Sequence, residues 1–370
     1  MSAQLQRLPV ADPRIHHSRV KASQGVIAAT RKLTYDTMRL VVQCDQPSSP
    51  LNGIAGQYAT LATPSLSKPR AYSFARAPEN EAVGQHTFFI KLIHGGEFSG
   101  WLFRTDRTGE PITLTGPLGQ FVLDASDDPM VCIAGGSGLS ALLAILEHAA
   151  NRRVRRDALF LYGARTQADL YCQDEIESIK RKWNKDYRFE HVNVLSVEPK
   201  DSDWTGPRGL VTEHFECAHV RDGSFDVSQS RAYLCGPPPM VDAAVSVLAK
   251  AGLARERIYF DKFEDASSPA PVINNSKCVL CDECLLVKPI ENCIVEISDL
   301  VLDENDEVVD YVRVDPAHTS GLYYNSLYID ERECIRCLAC VDRCPTGAIS
   351  PSNTVKPDML RNMKVSTPAI

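Results

Sequence analysis

Residues 129–150 read PMVCIAGGSGLSALLAILEHAA. A short apolar run, MVCIA, is followed by a glycine-rich turn and then by a long, largely apolar helical stretch. An apolar strand that ends at glycine and leads directly into a helix is typical of a parallel sheet covered by helices on both faces. The stretch therefore predicts a doubly wound α/β domain.

The same alternation of strands and helices continues to about residue 264. ALFLYGA, FEHVNVL, RAYLCG and RIYFDKF are predicted strands, and CQDEIESIKRKW and PPPMVDAAVSVLAKAG are predicted helices. In residues 20–124, segments such as KLTYDTMRLVVQC, HTFFIKLI and PITLTGPLGQFVL alternate in polarity or are rich in β-branched residues. These segments predict a small antiparallel β-barrel ahead of the α/β domain.

Cysteine is concentrated in the last part of the chain, where eight of the 13 cysteines follow Asp265. This part also contains 17 acidic and 9 basic residues, whereas the preceding part is nearly neutral. The segment DASSPAPVINNS has the composition of a linker. We expect a multidomain protein with an antiparallel β-barrel domain over 1–126, an α/β parallel-sheet domain over 127–264, a linker over 265–276 and a small α+β domain over 277–370.

Composition excludes several classes of protein. The 370 residues are 44% apolar and 24% charged, which is typical of two or three globular domains. The net charge of −7 argues against a nucleic-acid partner. The first residues lack an apolar signal sequence, and glycine and serine interrupt the longest apolar stretch, residues 130–146. We therefore expect no membrane span and a cytoplasmic location with reduced thiols.

Cys334, Cys337, Cys340 and Cys344 precede Pro345 in the run C-x2-C-x2-C-x3-C-P. Bacterial ferredoxins use this run to hold [4Fe–4S] clusters, and its fourth cysteine binds the other cluster of a pair. A zinc site, the alternative, usually takes its ligands from two separated C-x2-C pairs. The spacing therefore favours iron–sulfur ligation.

A second triplet, Cys278, Cys281 and Cys284, repeats this spacing, and Cys293 follows nine positions later. Residues 275–352 resemble the bacterial two-[4Fe–4S] ferredoxins, which transfer single electrons. The resemblance implies two clusters, one bound by Cys278, Cys281, Cys284 and Cys344, and the other by Cys334, Cys337, Cys340 and Cys293. Relative to the ferredoxin pattern, residues 294–333 are an insertion. We expect this insertion to form a solvated hairpin or, alternatively, a docking element.

Two short motifs lie in the predicted barrel, RAYS at 70–73 and HGGEFS at 94–99. They resemble the R-x-Y-S and G-x-x-S motifs of the ferredoxin–NADP⁺ reductase superfamily, in particular its oxygenase-reductase branch. The resemblance implies that FAD is bound through Arg70, Tyr72, Ser73, Gly95, Gly96 and Ser99. In this reading the arginine pairs with the diphosphate, the tyrosine stacks on the isoalloxazine and the serine bonds near its N5 atom. A core position for the tyrosine is the alternative.

The α/β domain contains two further motifs of the same superfamily. CIAGGSG at 132–138 resembles the A-G-G-[ST]-G loop, and CGPPPM at 235–240 resembles C-G-P-P-x-M. The resemblance implies nicotinamide-nucleotide contacts from Gly135, Gly136, Ser137, Gly138, Gly236 and Pro237. It also places Cys235 beside the nicotinamide ring, as a catalytic residue together with Ser73. We expect Cys132, by contrast, to be a buried packing residue.

The choice between NADH and NADPH depends on the segment GARTQADL at 163–170. Arg165 favours a coenzyme with a 2′-phosphate, and Asp169 opposes it. The later segment TGPRGLV resembles NADH-dependent oxygenase reductases. We therefore expect both residues to lie at the coenzyme site and NADH to be preferred.

The order of the motifs predicts electron flow from NADH to FAD, then to the [4Fe–4S] clusters and then to a separate redox protein, expected to be an oxygenase component. A flavin is required between a two-electron donor and one-electron clusters. Two alternatives stay open at this point. The protein could reduce NAD(P)⁺ with electrons from a partner, or it could be a flavin-containing redox sensor without turnover.

Overall fold

The computed structural model describes residues 20–45, 53–223, 225–263, 269–302, 308–314, 326–351 and 364–366. These residues form two compact units, a larger one that ends at Phe263 and a smaller one that contains the described residues after it. Within the described ranges, no helix has the length and apolar character needed to cross a membrane.

The larger unit begins with an antiparallel β-barrel. Its six strands are β1 (Lys21–Lys32), β2 (Thr37–Cys44), β3 (Tyr58–Ala62), β4 (Arg70–Ser73), β5 (Gln85–Lys91) and β6 (Pro111–Leu118). They follow the order β4-β3-β6-β1-β2-β5, and an antiparallel bridge between Phe74 and Phe88 joins the two outer strands. Helix α1 (Glu97–Arg104) follows β5. The predicted barrel is confirmed.

A five-stranded parallel sheet follows the barrel. Its strands are β7 (Met130–Gly135), β8 (Ala158–Ala164), β9 (Phe189–Leu195), β10 (Arg231–Gly236) and β11 (Ile258–Lys262), in the order β11-β10-β7-β8-β9. The accompanying helices are α2 (Leu139–Asn151), α3 (Gln173–Lys182), α4 (Val211–Phe215) and α5 (Pro238–Lys250). The strand order reverses between β7 and β10, and a crevice at such a switch point is where ligands bind in open α/β sheets. The predicted α/β domain is confirmed.

The barrel and the parallel sheet share one apolar core. Phe89 of the barrel belongs to the same buried cluster as Met130 and Phe160 of the sheet, and its ring meets that of Tyr171 edge to face at 5.5 Å. This continuous core explains why two predicted domains form one compact unit. The boundary at residues 126 and 127 stays a prediction.

The smaller unit is an α+β fold with two short helices. Its elements are β12 (Pro271–Ile273), α6 (Glu283–Val287), β13 (Ile294–Leu302), β14 (Val308–Arg313), β15 (Ser326–Ile329), α7 (Ala339–Arg343), β16 (Ile349–Pro351) and β17 (Lys364–Ser366). Strand β12 pairs with β16, and β13 pairs with β14, β15 and β17. The predicted small α+β domain is confirmed.

Two segments of the smaller unit, 265–276 and 294–333, contain buried strands that their composition did not indicate. The predicted linker 265–276 contains β12, because Ile273 is buried in the core around the cysteines and its strand completes the pairing with β16. The insertion 294–333 does contain a hairpin, β13 with β14. Ile297 and Leu300 of this hairpin are nevertheless buried in a small core of their own, so its inner face is not solvated.

Candidate redox sites

The two cysteine triplets have the same backbone conformation. Leu280 and Asp282 in the first loop have φ of 52° and 58°, and Arg336 and Leu338 at the equivalent positions of the second loop have φ of 57° and 60°. In both loops the backbone N–H of the first of these residues donates to the sulfur of the first cysteine, at 3.5 Å and 3.4 Å. Left-handed conformations are uncommon outside glycine, so four at matched positions indicate a structural repeat.

The turns that lead into the triplets are also repeated. The N–H of Cys278 donates to the carbonyl of Asn274 at 3.0 Å, and the N–H of Cys334 donates to the carbonyl of Asp330 at 2.9 Å. Each triplet then runs into a five-residue helix, α6 or α7. The two halves of the smaller unit are therefore related as structural repeats.

The first predicted ligand set lines one pocket. One cavity is lined by Cys278, Cys281, Cys284 and Cys344, together with apolar side chains that include Ile273. Burial first, and then the thiols of Cys278, Cys344 and Cys281, raise the pKa of Cys284 to about 12. Four thiols around an apolar cavity are a donor set that fits an iron–sulfur cluster.

The second predicted set is likewise close together. Burial, and then the thiols of Cys337, Cys334, Cys284 and Cys293 in that order, raise the pKa of Cys340 well above its ordinary value. Cys340 thus has neighbours in its own set and one neighbour, Cys284, in the other set. The two predicted sites are therefore adjacent in the smaller unit.

Backbone donors surround Cys344, the cysteine of the second run that is predicted to bind the cluster of the first triplet. The N–H of Ala348 donates to Cys344 Sγ at 3.2 Å. Burial raises the pKa of Cys344, but hydrogen bonds from Thr346, Ile349 and Ala348 outweigh it and hold this pKa below its ordinary value. In the described residues no three His, Cys, Asp or Glu side chains converge on one metal ion. In a [4Fe–4S] cluster, however, each thiolate binds a different iron.

The predicted flavin residues lie on β4, in the loop before α1 and in the first turn of α1. The ring of Tyr72 is half-buried against Phe98, with centroids 5.3 Å apart, and Arg70 donates to the carbonyl of the residue before it at 2.9 Å. Ser73 is buried, and its Oγ lies 3.5 Å from Oδ2 of Asp261 on β11. Asp261 belongs to none of the motifs and was missed by sequence reasoning.

The glycines of HGGEFS have different surroundings. Gly95 has φ of 71° and open space where a Cβ would be, which suits the close approach of a phosphate. A Cβ on Gly96, by contrast, would lie 2.7 Å from Ser99 Oγ, which is buried and accepts a hydrogen bond from the N–H of Ile93 at 3.1 Å. Gly96 and Ser99 therefore close the loop, and Gly95 is its accessible position.

The two glycine-containing loops of the α/β region pack backbone to backbone. A Cβ on Gly138 would lie 2.1 Å from the carbonyl oxygen of Cys235, and one on Gly236 would lie 2.9 Å from the carbonyl oxygen of Gly135. Only Gly136, with φ of 53°, has open space at its Cβ position. Three of these four glycines thus allow loop packing, and Gly136 can face a ligand.

Cys235 is fully buried next to these loops. Burial first, and then Asp261, raise the pKa of its thiol well above the ordinary value, and Asp261 is its pairing partner on β11. Cys132 is also fully buried, as expected of a packing residue. Ser137 lies in the turn before α2, where its carbonyl accepts from Ser140 Oγ at 2.8 Å, and Pro237 lies immediately before α5.

Arg165 and Asp169, which were expected to have opposite effects on coenzyme choice, form an ion pair of 2.7 Å. A third residue joins them, because Asp36 Oδ2 lies 2.8 Å from the same Nη2 of Arg165. Asp36 comes from the turn between β1 and β2, far away in sequence. No local motif could have identified it.

Three segments of the chain match known protein families. Residues 24–123 match the family described as oxidoreductase FAD-binding domain, 132–246 match oxidoreductase NAD-binding domain, and 327–350 match 4Fe-4S binding domain. The last match includes the second cysteine triplet. The first triplet lies outside it, so the match does not contain a complete ligand set for either predicted cluster.

Several relatives are electron-transfer components. The chain is 41% identical over 241 residues to the electron transfer component of xylene/toluene monooxygenase from Pseudomonas putida, covering 65% of each chain. It is 35% identical over 266 residues to the reductase component of phenol 2-monooxygenase from Pseudomonas sp. strain CF600, covering 70% of each. A solved ferredoxin reductase of carbazole 1,9a-dioxygenase is similar with a TM-score of 0.58 and 30% identity, over 67% of this chain and 71% of that one.

One chain thus contains segments that match an oxidoreductase FAD-binding domain, an oxidoreductase NAD-binding domain and a 4Fe-4S binding domain. The chain belongs to the ferredoxin–NADP⁺ reductase superfamily, in the branch that contains the reductase components of oxygenases. The match spans 65% of the length of the xylene/toluene relative.

Proposed function

We propose that this protein transfers electrons from NADH through FAD and two [4Fe–4S] clusters to a separate redox protein, an oxygenase component. The repeated cysteine loops of the smaller unit are the observation that carries the proposal. The same chain thus combines two repeated loops suited to one-electron carriers with matched FAD-binding and NAD-binding domains. The names of the relatives, which are monooxygenase and dioxygenase components, support the choice of partner.

The count of two clusters rests on the first triplet. That triplet lies outside the matched 4Fe-4S segment, yet Leu280 and Asp282 adopt the same left-handed conformation as their counterparts in the second loop. The cavity lined by Cys278, Cys281, Cys284 and Cys344 supports that crossed set for one cluster. The proximity of Cys334, Cys337 and Cys293 to Cys340 supports the second set.

FAD held by the larger unit would supply the conversion between a two-electron hydride donor and one-electron acceptors. Tyr72 and Ser73 would hold its ring, and Arg70 and the accessible backbone at Gly95 would hold its diphosphate. The open turn at Gly136 would hold the coenzyme pyrophosphate. The neutral, buried thiol of Cys235 would pack beside the reacting ring and exclude water from it.

The experiment that tests this proposal is a cofactor analysis followed by electron transfer. Protein purified without oxygen should contain about one FAD and about eight iron and eight sulfide per chain. NADH should reduce it, and the reduced protein should pass electrons to ferricyanide. Four iron per chain, or zinc, would contradict the two-cluster proposal, and a flavin that NADH does not reduce would contradict the proposed activity.

A further inference from the structure

At the carboxyl end of β8, carboxylates already hold Arg165, an arginine that could otherwise bind a phosphate. Arg165 Nη2 lies 2.8 Å from Asp36 Oδ2 and 2.7 Å from Asp169 Oδ1, and it also contacts the hydroxyl of Tyr35. Both carboxylate side chains are only 11% exposed, whereas that of Arg165 is 49% exposed. The charge of the Arg165 guanidinium is thus neutralised by two carboxylates on the buried side of the group.

The neutral donors of the same segment are occupied as well. The N–H of Thr166 donates to Asp169 Oδ2 at 2.9 Å, and the N–H of Gln167 donates to Glu198 Oε2 at 2.8 Å. The side-chain amide of Gln167 donates to Glu198 Oε1 and to Asp203 Oδ1, at 2.9 Å each. A phosphate would need these same donors, so carboxylates stand where its oxygens would bind.

This segment lies beside the nucleotide-binding turn. Gly163 pairs with Gly135 across β8 and β7, and the hydroxyl of Tyr171 donates to the carbonyl of Gly136 at 3.1 Å. In doubly wound domains the group after the second strand meets the ribose of the coenzyme, and an acidic residue there accepts from the 2′-hydroxyl. Residues 165–169 are therefore within reach of the 2′ position.

The barrel contributes the most strongly held carboxylate of this group. Asp36 accepts from Lys91 Nζ at 2.7 Å and from the Thr34 hydroxyl at 3.0 Å. Burial raises the pKa of Asp36, but the hydrogen bonds from Lys91 and Thr34 and the charge of Arg165 outweigh it and keep this pKa below its ordinary value. Asp36 is thus ionised at neutral pH, in place to hold Arg165.

We propose that Asp36, Asp169, Glu198 and Asp203 select NADH by occupying in advance the donors that a 2′-phosphate would require. The inference rests on the proposed function, since it concerns the coenzyme of the same site. Their four negative charges repel a phosphate dianion, whereas a neutral 2′-hydroxyl can donate to a carboxylate. The selectivity thus depends on the barrel as well as on the α/β region.

The test uses two variants of the full-length protein. The variant D36N/D169N/E198Q/D203N removes the four charges and keeps the shape of each side chain. The variant E198Q/D203N leaves the barrel and the turn at Thr166 intact, in case the larger variant does not fold. The control is E190Q, which changes a partly buried carboxylate paired with Arg188 at 3.5 Å. Glu190 is the second residue of β9 and therefore lies away from the carboxyl ends of the strands.

Two readouts are compared, kcat/KM with NADPH relative to NADH, and the Kd of 2′,5′-ADP relative to ADP by calorimetry. We expect the fourfold variant to raise both preferences for the phosphorylated form by about tenfold or more, the double variant to raise them less, and E190Q to leave them unchanged. Arg165→Ala should change neither ratio in the wild-type background and should cancel the gain in the fourfold variant.

Each contrary result has a distinct meaning. If Arg165→Ala in the wild-type background weakens 2′,5′-ADP binding about tenfold, the arginine is already available to phosphate and the inference is wrong. If the folded variants gain no affinity for 2′,5′-ADP, the carboxylates do not select the coenzyme. The proposed function stands in both cases as long as NADH reduces the wild-type flavin. If NADH does not, the proposed function fails whatever the variants do.

Discussion

Cys235 has the surroundings of a positioned packing group. Its thiol is fully buried at the end of β10, its carbonyl lies against Gly138, and its pairing partner on β11 is Asp261. Because burial and Asp261 both raise its pKa, the thiol stays protonated at neutral pH. A neutral thiol can set the distance and the dryness of a hydride path, but it cannot act there as a nucleophile.

We expect Cys235→Ala to slow reduction of the flavin by NADH about tenfold, because a small void replaces the thiol beside the path. FAD and iron contents should not change. Anaerobic stopped-flow absorbance measures the rate, and Cys132→Ala, an equally buried cysteine on the neighbouring strand β7, is the control. An unchanged rate in Cys235→Ala would show that the residue only packs.

The pH dependence of this step follows from the same pKa shift. A thiol with a raised pKa does not ionise between about pH 6 and pH 8. We therefore expect the difference in rate between wild type and Cys235→Ala to be constant across this range. A difference that grows as the pH rises would mean that a thiolate takes part.

At the scale of elements, helix α2 supports the flavin-motif strand through one buried carboxylate. Glu147 is 6% exposed and accepts from the N–H of Ala77 at 2.9 Å and from Arg76 Nη2 at 3.4 Å. The segment that contains these two donors comes directly after β4. The contact thus joins the parallel-sheet region to the barrel at the predicted flavin site.

We expect Glu147→Ala to lower the free energy of unfolding by about 2 kcal/mol, because it leaves a buried backbone N–H without its acceptor. The control is Glu175→Ala, which removes a looser ion pair with Arg39 at 3.5 Å and should cost about 0.5 kcal/mol or less. Urea denaturation followed by tryptophan fluorescence compares the two. If both variants lose the same free energy of unfolding, the buried contact of Glu147 stabilises the protein no more than the looser ion pair of Glu175 does.

At the scale of the whole molecule, the two kinds of redox site lie in different compact units. The motifs for FAD and nicotinamide are in the larger unit, and all eight clustered cysteines are in the smaller one. Damage to the iron–sulfur side should therefore leave the hydride chemistry intact. This separation makes the proposed linear route testable with one substitution.

We expect Cys337→Ser to lose the second cluster, since a hydroxyl is a poor ligand for iron in such clusters, and to retain about four iron per chain. Reduction of FAD by NADH and ferricyanide reduction should persist, whereas delivery of electrons to the proposed oxygenase partner should fall at least about tenfold. The exposed Cys217 provides the control Cys217→Ser. Full delivery by Cys337→Ser would mean that electrons leave from the flavin or from the first cluster.

The barrel, the α/β region and the ferredoxin-like fold could all be predicted from the sequence, because the spacing of apolar residues and of Cys334 to Cys344 is a local property of the chain. The linker over 265–276 stays a prediction, and within it the structure forms β12, whose Pro271 and Ile273 are buried. Composition did not indicate this strand because its partner β16 lies far away in sequence.

The residue types available at each predicted site can be read from the sequence alone: the eight thiols, the flavin motif and the glycine turn at Gly136. How they are combined follows from the folded chain. It brought Asp261 to Ser73 and Cys235, and it brought Asp36 of the barrel to Arg165. The physical reason is that a carboxylate acts through space over a few ångströms, and neither carboxylate has a neighbour in the chain that would reveal its partner.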